Sequence, residues 1–220
     1  MKQRKITKSH IIDPRYIVHD FGKLTAAPLG LLWLRPRWIY ENAAAKKRIR
    51  GGALLMFNHT GFIDPILDQI AVWYRRHHFV ATKELFRRGR GWLFRQFGCI
   101  EVDRENFNLS TFREVTDHLR AGNIVSIYPE GRINTDGEDG VAVFKSGMVM
   151  MALRSGVPVV PVYVRPPKRF YNRAVFIIGE PIDLASRYGR LPSVDTVERI
   201  SADLRDKELE LQRLCQNRVG

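Results

Sequence analysis

The stretch Ala53-Leu54-Leu55-Met56-Phe57-Asn58-His59-Thr60-Gly61-Phe62-Ile63-Asp64-Pro65 passes from one kind of element to another within thirteen residues. Gly51-Gly52 introduces a short apolar run, Ala53–Phe57, which predicts a buried strand. Asp64 and Pro65 stand where an N-cap and a first helical residue belong. They predict a helix over Pro65–Arg76, with Ile66, Ile70 and Trp73 spaced four and three. The polar loop between strand and helix holds a histidine. Loops at strand ends are where α/β folds place reactive groups.

The alternation continues toward the carboxyl end. Phe79–Ala81 predicts a strand, Trp92–Phe97 a short helix ending at Gly98, and Cys99–Val102 a strand. A helix starting at Asn108 or Ser110 carries the stripe Phe112, Val115, Leu119 and stops at Gly122. Ile124–Tyr128 predicts a strand, Ser146–Ser155 a helix stopped by Gly156, and Val157–Val164 and Val175–Ile178 two further strands. Asp195 and Glu198 form a capping box for a last helix from about Thr196. The expected fold class is α/β: a single domain with a central, mostly parallel sheet flanked by helices. Residues 1–50 are expected to stand apart from it as a helical appendage. No internal repeat or low-complexity tract is present.

Charge is the outlier in the composition. The chain has 36 Lys+Arg against 23 Asp+Glu, a net +13. Residues 1–50 carry 12 basic and 3 acidic side chains, and residues 75–104 carry 8 and 3, so these two regions hold the whole excess. Such a balance calls for an anionic partner: nucleic acid, a membrane surface or a phosphorylated substrate. Two cysteines, Cys99 and Cys215, make neither a disulfide framework nor a zinc ribbon. The apolar stretch Leu24–Leu34 is 11 residues long and contains Pro28, short of the roughly 20 needed to cross a bilayer. Its leucines, with Trp33, Trp38 and Tyr40 beside Lys23, Arg35 and Arg37, suit a segment lying in a membrane interface. The same pattern suits an amphipathic helix packed on its own domain.

Two clusters carry chemistry. A base needs one imidazole nitrogen free and the other fixed by an acceptor. Asp64, five residues after His59 across a loop with Gly61, is placed to meet Nδ1 and leave Nε2 to a substrate. Asp64 has a second reading, as N-cap of the next helix. The other cluster is Tyr128-Pro129-Glu130-Gly131-Arg132, again at a strand's end. Arg132 offers a guanidinium fork for phosphate and Glu130 an acceptor for a hydroxyl; a turn with a surface ion pair is the alternative. Lys83, Arg104 and Lys145 also lie at or near element ends, and Lys145 precedes a helix start, where backbone N–H groups attract anions. The absence of G-x-S-x-G and H-E-x-x-H excludes the usual serine and zinc hydrolases. Arg75, Arg76, His77 and His78 read as a solvated basic loop.

Together these residues resemble the glycerolipid acyltransferase family of the 1-acyl-glycerol-3-phosphate acyltransferase type. N-H-x4-D is matched at Asn58, His59 and Asp64, and G-x-I-x-V-D-R at Gly98, Ile100, Val102, Asp103 and Arg104. [FY]-P-E-G is matched at Tyr128–Gly131, and V-P-[IV]-V-P-V at Val157–Val162. The arginine after Glu130-Gly131 comes one position earlier than in the common E-G-T-R. The resemblance implies transfer of an acyl group from an acyl-CoA or acyl-carrier-protein thioester to a lysophospholipid hydroxyl, most simply 1-acyl-glycerol-3-phosphate. His59 is then the base and Asp64 its orienter. Asn58, Lys83, Arg104, Glu130, Gly131, Arg132 and Lys145 are the expected substrate-binding residues. No metal or redox cofactor is implied. Residues 1–50 become a basic, amphipathic membrane-association segment and residues 51–220 the acyltransferase domain, peripheral or monotopic on the cytoplasmic face of an anionic membrane. Another lipid acceptor is an alternative. A nucleic-acid binder would also suit the charge, but no helix-turn-helix, RRM or zinc-finger pattern supports it, and nucleic acid is not the expected partner.

Overall fold

The computed structural model describes residues 13–87, 89–102, 109–131, 146–167 and 172–219, together with Ile6, Lys8 and Arg169. A single 3-10 turn, Pro14–Tyr16, leads into helix α1 (Ile17–Leu34), which runs through Pro28 and ends on Arg35 in the left-handed region. Strand β1 (Arg37–Tyr40) follows, then β2 (Ala53–Phe57), α2 (Asp64–Ala71), β3 (His77–Thr82), α3 (Gly91–Gln96) and β4 (Ile100–Val102). Next come α4 (Leu109–Arg120), β5 (Ile124–Ile127), α5 (Ser146–Ser155), β6 (Val159–Arg165) and β7 (Val175–Ile178). Helices α6 (Leu184–Tyr188) and α7 (Val194–Val219) complete the described chain.

One seven-stranded sheet takes the order β1-β7-β6-β2-β5-β3-β4. Every neighbouring pair is parallel except β6 with β7. The central strand β2 is buried on both faces, which is why its sequence is a continuous apolar run rather than an alternating one. Leu54 and Met56 join the core beneath α4, α5 and α7, while Leu55 and Phe57 join the core with Leu67 and Ile70 of α2 and Leu34 of α1. In α4, Val115 and Leu119 are buried with Phe112 packed against the same core, as the stripe predicts.

Several expectations give way to the structure. Arg37–Tyr40 belongs to the sheet, pairing with Val175–Ile178, so the segment expected to stand apart contributes an edge strand. Its basic and aromatic residues hide a strand because only an edge position lets Arg37 stay in water. The four residues 75–78 are not a solvated loop. His77 and His78 are fully buried in β3 and Arg76 nearly so. Arg76 forms an ion pair with Asp20 of α1, lies 3.8 Å from Asp13, and stacks over Tyr16 at 4.8 Å. Helix α2 ends at Ala71, short of the expected Arg76. Of the predicted stripe Ile70 is buried, while Ile66 and Trp73, the latter past the helix end, are exposed, and Leu67, Asp68 and Ala71 complete the inward face. Helix α7 begins at Val194, its start held by Ser193 Oγ accepting from the Thr196 amide at 3.3 Å.

Candidate active site

Strand β2 delivers Asn58 and His59 at its carboxyl end, between β5 and β6. Asn58 is buried, and its amide clips the end of β6: Nδ2 donates to Val164 O at 2.9 Å and Oδ1 accepts from Val164 N at 2.7 Å. Expected among the substrate binders, Asn58 therefore anchors the strand end from which His59 projects.

Asp64 curls back over the loop instead of capping its own helix. Its Oδ2 accepts from His59 Nδ1 at 2.7 Å, Thr60 N at 2.5 Å and Gly61 N at 2.8 Å. Its Oδ1 accepts from Thr60 Oγ1 at 2.7 Å. Burial alone would raise this carboxyl's pKa, but the bonds from His59, Gly61 and Thr60 outweigh it and hold Asp64 below its ordinary value. Asp64 is thus kept as a carboxylate, and with Nδ1 committed to it, Nε2 is the nitrogen left for chemistry.

Tyr128 lies flat against His59, with ring centroids 4.2 Å apart and planes 15° from parallel. The Tyr128 hydroxyl donates to Asp68 Oδ2 at 2.6 Å. Asp68 is wholly buried. Burial pushes its carboxyl well above the usual range, and the charge of Asp64 adds to this against the opposing bond from Tyr128. Nothing in the sequence pattern singles out Asp68, which looks like an ordinary helix-surface carboxylate.

His59 opens on a cavity of about 1160 Å³, beyond the roughly 300–1,000 Å³ of common small-molecule pockets. Val80, Val102, Phe112, Ile127 and Met148 give it an apolar wall, and Arg154, Glu198 and Arg205 are polar members of its lining. Helix α5 opens there too, through Ser146 and Gly147. Gly131 also lines the cavity. It needs a φ of +66°, and its N–H closes a turn on Tyr128 O at 3.1 Å.

Two further expectations change. Lys83, in a 3-10 turn after β3, is not among the cavity-lining residues. Glu130 is buried and shares a hydrogen bond with Glu208 of α7 instead of lining the cavity. Burial together with the Glu130 charge and this bond raises the Glu208 pKa to about 8, so the two carboxyls hold a proton between them at neutral pH. A raised carboxyl pKa contributes stability that is fully present below the unfolded value near 4.3 and is lost as pH rises through 8. Glu208→Gln, which keeps a donor and cannot ionise, is expected to flatten that loss. Its melting temperature relative to wild type should rise between pH 6 and 9, and a constant difference across that range counts against the shared proton.

Arg104, Arg132 and Lys145 lie outside the described residues. Val102, two residues before Arg104, lines the cavity, as do Gly131 and Ser146, which adjoin Arg132 and Lys145.

A histidine held by a carboxylate at the end of a central strand, opening on a large and mostly apolar space, suits proton transfer beside a substrate with a long apolar part. A family model described as Acyltransferase matches residues 39–165, and the chain belongs to the acyltransferase family. It is 29% identical over 167 residues to the 1-acyl-sn-glycerol-3-phosphate acyltransferase of Bacillus subtilis (strain 168), covering 73% of this chain and 81% of that one. A protein of the same name from Borreliella burgdorferi is 27% identical over 147 residues, 66% of this chain and 58% of its own length. The crystal structure of the 1-acyl-sn-glycerophosphate acyltransferase PlsC from Thermotoga maritima has the same fold. Its TM-score is 0.61 over 91% of this chain and 80% of that chain, at 22% identity.

Proposed function

We propose that the protein transfers a fatty acyl group from a thioester to the free hydroxyl of a lysophospholipid, 1-acyl-glycerol-3-phosphate, giving phosphatidic acid. The observation that carries this is the His59–Asp64 pair opening on the apolar cavity, joined to relatives that bear the name of that activity. His59 Nε2 takes the proton of the acceptor hydroxyl as its oxygen bonds to the thioester carbonyl carbon. The C–S bond then breaks, and the proton passes from His59 to the departing thiolate of CoA or acyl-carrier protein. Asp64 stabilises the imidazolium in between. The acyl chain occupies the cavity. No cofactor beyond the thioester co-substrate enters these steps.

Arg104 and Arg132 are assigned to the acceptor's phosphate, since a guanidinium makes two parallel bonds that lysine cannot reproduce. The test is product analysis with a panel of lysolipids and acyl donors. Phosphate-bearing acceptors should be preferred, and Arg104→Lys and Arg132→Lys should raise their KM by about tenfold, the loss of one charge-assisted bond. Equal KM values for wild type and both variants would remove the phosphate assignment, and absence of any acylated product would remove the reaction.

The membrane reading is supported by exposed apolar side chains on α1, among them Phe21, Leu24, Leu32 and Trp33, and by Phe62 (93% exposed) beside the catalytic loop. No helix among the described residues is long and apolar enough to cross a membrane, so a peripheral or monotopic position on the cytoplasmic face is proposed. Burying a leucine is worth roughly 2 kcal/mol. Leu24→Glu with Leu32→Glu should therefore weaken binding to anionic vesicles by more than about tenfold and leave thermal stability unchanged, because both side chains are exposed. Equal flotation of variant and wild type at low salt would sink the membrane reading.

A further inference from the structure

Asp68 breaks the rules of a well-packed core. It is a carboxyl with no exposure at all, and its Oδ1 has no hydrogen-bond partner among the described residues. A buried polar atom left in this way costs stability. A leucine at this inward position of α2, between Leu67 and Ile70, would pack without that cost. Positions that depart from local packing rules in this way are characteristic of functional sites. Among the described residues the one bond the Asp68 side chain makes is to the Tyr128 hydroxyl at 2.6 Å, and Tyr128 is the residue stacked on the His59 ring.

The geometry shows what that bond does. His59 is tied at one edge by Nδ1 to Asp64. A single hydrogen bond leaves an imidazole free to rock about its axis, which swings Nε2 across the cavity mouth. A flat aromatic face 4.2 Å away removes that freedom, provided the aromatic ring is itself fixed. The ring of Tyr128 is fixed at its far end by Asp68. We infer that Asp68 and Tyr128 are positioning residues of this enzyme, a tethered plate that sets the plane of the His59 imidazole and hence the aim of Nε2. This rests on the reading of His59 as the base. The stack also gives the imidazolium formed during transfer a tyrosine face to lie against, and cations are attracted to such faces.

The test combines kinetics with the NMR signal of the His59 ring protons in the free protein. A ring stacked face to face shifts those protons upfield. Tyr128→Leu should abolish the shift and lower kcat roughly tenfold or more, since an ångström-scale misplacement of a reacting group costs up to about 10²-fold, with KM nearly unchanged. Tyr128→Phe keeps the ring but loses the tether and should reduce both the shift and kcat by less. Asp68→Asn keeps an acceptor for the hydroxyl and should retain the shift and most of kcat. If Tyr128→Leu and Tyr128→Phe lowered only the melting temperature, leaving the shift and kcat as in wild type, the pair would be structural and the inference overturned. Full activity in His59→Ala would strike the base assignment instead. The ring-proton shift is read without substrate, so the two failures are distinguishable.

Discussion

His59→Ala is expected to lose about 10²–10⁴-fold in acyl transfer, the typical contribution of a positioned general base, with little change in melting temperature. The side chain sits on the cavity wall, not in either large core. Its bond to Asp64 is one of four that this carboxylate accepts, so the loop remains closed when the imidazole is gone. Measuring turnover and thermal unfolding on the same preparation checks both halves. Retention of more than about a tenth of the activity would contradict the assignment, because a base worth so little falls below the general-base range.

Asp64→Ala should do the same damage to catalysis and add a stability loss that His59→Ala lacks. The two backbone amides and the Thr60 hydroxyl that now donate to Asp64 would lose their acceptor together. Thr60 is exposed and Gly61 only half-buried, so water replaces part of what these donors lose, and a loss of about 1 kcal/mol is expected. Asp64→Asn separates the effects. Its amide oxygen can serve the loop, while a neutral amide does little for an imidazolium, so stability should recover and activity should not. The pH dependence follows from the lowered pKa of Asp64. Its contribution to stability is present above the ordinary carboxylate range near 3.9 and is lost as pH falls through the lower folded value. The Asn variant should lack that acid-side loss. Unfolding of wild type and both variants from pH 7 to pH 3 measures it.

The parts of the fold that sequence reveals are those whose signals are local. A five-residue apolar run, a proline beside a capping position and a glycine after a stripe all lie within a few residues of what they determine. The His59–Asp64 pair belongs with them, because its two members are separated by one short loop. Longer reach hides the rest. Strand β1 is only four residues of mixed charge and aromaticity, and its partner among the described residues is β7, well over a hundred residues further on. His77 and His78 look solvated beside two arginines, but Arg76 is neutralised by Asp20 of the first helix and by Asp13 just before it. Burial then holds His77 near a pKa of about 3, and the His78 value is likewise lowered. Asp68 and Glu208 resemble helix-surface carboxylates, and only the packing of α2 against Tyr128, and of α7 against the turn after β5, turns them inward. Glu130 fits a substrate-binding pattern in the sequence, and its partner Glu208 lies far along the chain on the last helix, where no local signal links the two.

The strand order has a consequence for the making of the protein. Only β3 with β4 and β6 with β7 are neighbours both in the chain and in the sheet. The middle strand β2 must wait for β5 and β6 before either of its edges is covered, and β1 must wait for β7. Contacts of such long sequence separation are slow to form and leave apolar strands uncovered meanwhile. During synthesis, then, the apolar surface of α1 emerges while its strand still has nothing to pair with. On the membrane position proposed above, a nascent chain in that condition is free to settle on a bilayer first and to assemble its sheet afterwards.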